Sequence, residues 1–149
     1  MRDRYVFPAY LCYEGDDFSK IGVVFPDLPG CTSQGEGEEE AMAMAKEAMT
    51  LHLWGMEEDG EEIPKPTPAR DLTPETDQTI VLVDAFLPPF RERMNNKAVT
   101  KSVTVPRWLD LEAKAANLNY SQVLQDGIIE LLGLQKKTAK QRRTQRKTA

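Results

Sequence analysis

In the N-terminal half, apolar residues first occur in short strand-like runs and then take up a helical period. Tyr5–Tyr13 (YVFPAYLCY) is rich in aromatic and apolar side chains and predicts a strand, with Pro8, which lacks an amide hydrogen, at an edge or a bulge. Glu14–Ser19 (EGDDFS) predicts a turn and Lys20–Phe25 (KIGVVF) a second strand, so the two make a hairpin. Pro26–Gly30 (PDLPG) is a rigid turn, and Cys31–Gln34 forms a short third strand. From Glu38 to Glu58 the pattern predicts a long helix. Ala41, Met44, Ala48 and Leu51 recur at helical spacing, while Ala45, Met49, His52 and Met56 widen the face that packs on a sheet. Gly37 is placed at the N-cap, and Glu38, Glu39 and Glu40 complement the positive end of the helix dipole. Gly60 and Pro64 end the helix, and Glu61–Pro74 is a loop. Thr79–Phe86 (TIVLVDAF) predicts a buried strand returning to the sheet, and Pro88–Ala98 a linker or a short helix. The order ββ(β)αβ is that of a small α+β domain whose helix covers one sheet face.

The stretch Lys101–Leu134 (KSVTVPRWLDLEAKAANLNYSQVLQDGIIELLGL) has a different order: a short alternating strand, a proline, a helix, a tight turn and a second helix. That is the order of a ribbon-helix-helix DNA-binding unit. A lone short strand cannot satisfy its own backbone hydrogen bonds. If a second copy supplies the partner, the product is an obligate dimer whose two-stranded ribbon fits a DNA major groove. In the strand, Val103 and Val105 should face inward, and Thr100, Ser102 and Thr104 should face DNA, with Lys101 curling out to a phosphate. The outward face carries no Arg, Asn or Gln, so specificity leans on shape and phosphate contacts. Asn119 is the expected N-cap of the second helix, with Gln122 at capping-box spacing, and the amides of Tyr120 and Ser121 are free to hold a phosphate. Val123, Leu124, Ile128, Leu131 and Leu132 make that helix too apolar for exposure, which predicts burial against a second chain. Gly127 would permit the close approach. The first helix has two apolar stripes, Trp108, Leu111, Ala115 and Leu118 in one and Leu109, Ala113 and Ala116 in the other.

Charge divides the chain further. Its net charge is -5, but all 24 acidic residues and only 12 of the 19 basic ones precede Gln135, a net of -12 for residues 1–134. Residues 135–149 carry the other basic groups, from Lys136 to Lys147, and form a basic tail read as disordered. An acidic body with a basic tail points to two partners of opposite charge. Cys12 and Cys31 lack metal-ligand spacing and are expected to be buried free thiols. His52, the sole histidine, has no visible nucleophile or orienting partner. Asp27, Asp71, Asp77 and Asp84 lie in or near loops and strand ends rather than in a converging metal-nuclease set. No catalytic residue, metal site or cofactor is expected. No apolar run approaches a membrane span, so a cytoplasmic protein is expected.

The run FPDLPGCTSQGEGEEEAMAMAKEAMTLHLWGMEEDGEEIPKPT (Phe25–Thr67) resembles the HicB antitoxin family: F-P-D-L-P-G-C, a Gly-initiated acidic helix, then D-G-x-x-I-P-x-P. The stretch NKAVTKSVTVPRWL and NLNYSQVLQDGI resembles the ribbon-helix-helix tail of the same family, so the likeness covers most of residues 5–134. It implies a type II toxin–antitoxin system whose toxin, HicA, is a small basic mRNA-cleaving ribonuclease. In the family, a partial ribonuclease-H-like domain covers the toxin and the C-terminal unit represses the operon. Residues 1–87 would then be a toxin-binding α+β domain, 88–99 a linker, 100–134 the ribbon-helix-helix DNA-binding unit and 135–149 the tail. The acidic helix and its flanking turns, with Asp27, Glu38, Glu39, His52 and Trp54, are the expected toxin surface. The expected partners are a HicA-type toxin, operator double-stranded DNA, and further copies of the chain in a homodimer or homotetramer. The alternatives are a stand-alone ribbon-helix-helix regulator with a sensing N-terminal domain and a residual metal nuclease.

Overall fold

The computed structural model describes residues 1–15 and 19–135. Its elements are β1 (Arg4–Glu14), β2 (Lys20–Val24), β3 (Thr32–Glu36), α1 (Gly37–Asp59), β4 (Gln78–Phe86), α2 (Pro88–Asn95), α3 (Arg107–Ala115) and α4 (Tyr120–Leu131), with one 3-10 turn at Ala69–Asp71. They fall into two compact units, Met1–Lys97 and the residues from Ala98 onward.

In the first unit the strands form one antiparallel sheet in the order β3-β2-β1-β4. Strand β1 is therefore central, yet it carries Pro8. The register resolves the conflict. β2 pairs with β1 only over Tyr10–Glu14, whereas β4 pairs over Arg4–Cys12. Pro8 thus lies where β1 has no β2 neighbour and is locally an edge. Alternate residues point inward: Phe7, Ala9, Leu11, Ile21, Val23, Val83 and Ala85 are buried beneath α1.

The inward face of α1 differs from the sequence expectation. Ala41, Ala45, Met49 and Leu53 are fully buried, while Met44 and Leu51 are 41% and 51% exposed. The reason is distance. A Cβ built on Gly35 of β3 would fall 2.7 Å from both Ala41 Cα and Glu40 C, and closer still to Ala41 N. The helix passes so near the sheet that its first inward turns must be alanine, and the bulky residues are turned outward. Gly35→Ala is expected to destabilise the unit by about 1–3 kcal/mol. Gly55→Ala, whose Cβ would meet nothing within 4 Å, should stabilise it by about 0.5–1 kcal/mol. Urea unfolding of both variants checks the contrast.

The cap also shifts by one residue. Glu36, not Gly37, is the N-cap, and its amide donates to Glu40 Oε2 at 2.6 Å. Gly37 is the first helical residue and has φ +78°, which a side chain would oppose. At the other end Gly60 (φ +70°) donates to the Glu57 carbonyl and Glu61 to the Met56 carbonyl, a Schellman closure.

Of the two readings of Pro88–Ala98, the helix forms, and it is tied to the first unit. Arg91 donates to Glu57 Oε2 (2.8 Å) and Oε1 (2.7 Å), to Asp3 Oδ1 (3.0 Å) and to the Arg2 carbonyl (2.5 Å). Phe90 meets Trp54 edge-on, with ring centroids 5.9 Å apart.

In the second unit, residues 101–106 form no strand, contrary to the sequence expectation. A strand is defined by its ladder, and among the described residues none pairs with that segment. Helix α3 ends in a second Schellman closure: Asn117 takes φ +53°, its amide donates to the Lys114 carbonyl, and that of Leu118 to the Ala113 carbonyl. Asp110 joins the two helices by accepting from Lys114 Nζ (2.7 Å) and the Tyr120 hydroxyl (2.5 Å). Both bonds hold its carboxyl below the usual range. Packing here is sparse: Ala113 is the one buried hydrophobic among the described residues of this unit. The tip of the expected first hairpin turn and the basic tail from Lys136 lie outside the described residues.

Candidate functional site

The outer face of α1 is a stripe. Glu40, Met44, Glu47, Leu51 and Glu58 follow one another at helical spacing, opposite the buried alanines, and all are exposed. Apolar Met44 and Leu51 are therefore set among carboxylates. This surface suits a basic partner, with apolar contact at the centre and charge around it.

The expected toxin-facing residues are dispersed around this stripe, and several have internal work. Asp27 accepts from the Thr67 amide (2.8 Å) and hydroxyl (2.6 Å), which fastens the loop after α1 to the Pro-bracketed turn. Within that turn Leu28 is 1% exposed and plugs the core, and Gly30 takes φ +83°. Glu38 accepts from the Tyr13 hydroxyl at 2.7 Å, and that bond pushes the phenol up from its usual range. Glu39 is exposed at the start of the helix. His52 is half-buried beside the inward stripe. Trp54 is half-buried against Phe90, and its Nε1 is buried without an acceptor among the described residues. Sequence reasoning passed over Met44 and Leu51 as candidates because their hydrophobicity assigned them to the core. The signal available was the Ala41–Ala45–Met49–Leu53 series, at strict four-residue spacing, below a glycine-bearing strand.

In the second unit Thr100, Lys101, Ser102 and Thr104 are all exposed, and Val103 is exposed rather than inward-facing. Asn119 is the N-cap of α4 and its Oδ1 accepts from the Gln122 amide at 3.1 Å. The Gln122 side chain donates through Nε2 to Asp126 Oδ1 at 2.8 Å, and among the described residues it makes no return bond to the Asn119 amide that would complete a capping box. The amides of Tyr120 and Ser121, at the first positions of α4, have no intrahelical acceptor. The Tyr120 hydroxyl is engaged by Asp110. Apolar side chains that should be covered stand open, from Trp108 (67% exposed) to Leu131 (88%). A Cβ on Gly127 would meet nothing within 4 Å, so among the described residues none makes the close approach expected there.

Among the described residues no group of His, Cys, Asp and Glu could hold a metal ion, and no helix is long and apolar enough to cross a membrane. Asp84 pairs with Lys46 and Asp71 with Arg70, on separate elements. Both cysteines are free; Cys31 is buried and Cys12 half-buried. Burial pushes the Cys31 thiol up to about 11. At pH 8 roughly one thiol in a thousand would be thiolate, so Cys31 should resist iodoacetamide in the native chain and react only once urea unfolds it. Mass spectrometry of alkylated native and unfolded protein checks this.

Comparison with known proteins adds the family. Residues 7–127 match the model described as a HicB-like antitoxin of bacterial toxin–antitoxin systems. A 14.9 kDa protein of the rep-hol intergenic region of Haemophilus phage HP1 is 41% identical over 90 residues, which is 58% of this chain and 65% of that protein. This chain thus spans a little under two thirds of that relative's length. One chain of a toxin–antitoxin complex from Streptococcus pneumoniae superposes with a TM-score of 0.55 at 26% identity, covering 85% of this chain and 98% of that one. The Burkholderia pseudomallei antitoxin HicB superposes with a TM-score of 0.48 at 25% identity, covering 86% and 98%.

Proposed function

The chain belongs to the HicB-like antitoxin family, and from that premise we propose that it binds and neutralises a HicA-type mRNA-cleaving toxin and represses its own operon. The outer face of α1 carries the first part of this reading. Exposed Met44 and Leu51, ringed by Glu40, Glu47 and Glu58, give a basic ribonuclease both apolar contact and charge complementarity. Glu39 at the head of the helix extends the same acidic surface, and His52 and Trp54 border it. Asp27 contributes by fixing the neighbouring loop. Covering a cationic RNA-binding surface in this way excludes RNA, and no chemistry is required of the antitoxin.

The open apolar face of the second unit supports the DNA-binding part. Val123, Leu124, Ile128, Leu131 and Leu132 on α4 and Trp108 and Leu111 on α3 are exposed in the single chain. A second copy covers them in this reading, and residues 100–105 of the two copies pair as a ribbon. Thr100, Ser102 and Thr104 then face the major groove. Lys101 and the α4 amides at Tyr120 and Ser121 hold phosphates. Residues 88–99 lead from the toxin-binding unit to residues 100–134, and the dimers can pair further into tetramers.

Ile128→Glu buries a carboxylate in each half of that interface. It should convert the dimer to monomer in sedimentation equilibrium and remove operator binding, because a lone copy has no ribbon. A variant that stays dimeric would place the dimer contact elsewhere.

A further inference from the structure

The free edge of β1 is the strongest unassigned feature. In an antiparallel strand successive residues direct their backbone groups to opposite sides. The Tyr13 amide donates to the Asp77 carbonyl and the Asp3 carbonyl accepts from the Leu87 amide, so odd-numbered residues of β1 address the β4 side. Even-numbered residues address the β2 side. There β2 reaches only as far as Tyr10. The backbone groups of Arg4 and Val6 and the Pro8 carbonyl therefore face no strand.

They face a groove instead. A cavity of about 470 Å³ runs between the start of β1 and the loop residues 63–66. Arg2 and Arg4 line it on one side and Lys65 on the other, with Val6, Pro64 and Pro66 as apolar floor and wall. No carboxylate lines it among the described residues, although residues 1–134 carry a net charge of -12. The Arg4 guanidinium also stacks over the Phe86 ring, 5.9 Å from its centroid. All three cationic side chains belong to exposed residues.

We propose that this groove docks an extended acidic segment of a partner protein, added to the sheet as a strand beside Arg4–Pro8. The free amides of Arg4 and Val6 and the Val6 carbonyl supply main-chain hydrogen bonds. Arg2, Arg4 and Lys65 select carboxylates on the incoming segment, and Pro64 and Pro66 form a wall that cannot donate and so does not close the edge itself. The carboxylate-ringed stripe on α1 selects the opposite charge, so the occupant of this groove is a partner distinct from a basic toxin.

The test is fluorescence anisotropy of the full chain with a short fluorescein-labelled peptide of alternating Glu and Val, and with its counterpart in which Lys replaces Glu. The Glu peptide should bind, weaken with added salt, and lose about tenfold in affinity to Arg2→Glu combined with Lys65→Glu. Val6→Pro removes only a groove-directed amide, in a strand that already holds Pro8 at the same parity. It should weaken the peptide by a similar factor while leaving the unfolding midpoint unchanged. No binding, equal binding of the Lys peptide, or undiminished binding to a folded Val6→Pro chain would overturn the proposal.

Discussion

Arg91→Ala should lower the unfolding free energy by roughly 3–5 kcal/mol, whereas Lys46→Ala should change it by less than about 1 kcal/mol. Both remove a cation from an ion pair, at 2.7 Å for Arg91–Glu57 and 3.2 Å for Lys46–Asp84. Burial separates them. The Glu57 side chain is 7% exposed and Arg91 17%, while both members of the surface pair are about half exposed, at 53% and 47%. Water screens the outer pair and replaces it at little cost. Inside, loss of Arg91 leaves the Glu57 carboxylate with the Tyr5 hydroxyl, at 3.2 Å, as its remaining hydrogen-bond donor among the described residues. The hydrogen bonds that Arg91 donates to Glu57, and after them the one it donates to Asp3, hold the guanidinium above its ordinary pKa. Glu57→Leu combined with Arg91→Met should recover much of the loss, since an apolar pair of similar volume has no desolvation penalty. Urea midpoints at unchanged m would establish the ranking. Equal, small effects would mean that α2 is not an integral part of the first unit.

Thr104→Glu should reduce operator binding by about a hundredfold or more while leaving toxin neutralisation intact. Each copy of a dimer would bring one new carboxylate to the ribbon face, opposite phosphates, and would lose a hydroxyl and a methyl that can meet base edges. Thr104 lies in the second unit, beyond the Lys97 boundary and far in sequence from α1. Gel shifts with the DNA upstream of the gene, beside growth rescue from a HicA-type toxin, separate the two proposed activities. Loss of both would contradict the division of labour between the units.

Much of the first unit was legible in the sequence because its strands alternate strongly and its turns are fixed by Pro and Gly. β1, β2, β4 and α1 fall within one or two residues of their expected bounds. What escaped depended on distance in space. Hydropathy favours Met44 and Leu51 over Ala41 and Ala45 as core residues, but the backbone of β3 at Gly35 lies too close for large side chains. Asp27 looked available in its turn, and its partner, Thr67, is 40 residues away. The free edge beside Pro8 depends on where β2 stops, which strand propensity does not specify. In the second unit, helix positions followed from the proline before the first helix, Asn119 and apolar spacing, while the left-handed Asn117 that closes α3 was not foreseen. Residues 101–106 are not a strand because strand propensity does not supply a ladder partner, and none of the described residues pairs with them.

The proposed toxin neutralisation is tested most directly by co-expressing the chain with the product of the neighbouring small open reading frame, followed by growth measurement and pull-down. Growth should be restored and the two proteins should purify together. Met44→Glu with Leu51→Glu should weaken both results while the chain stays folded. Persistent growth arrest with both proteins expressed and no complex recovered would contradict the antitoxin reading and leave a stand-alone DNA-binding regulator.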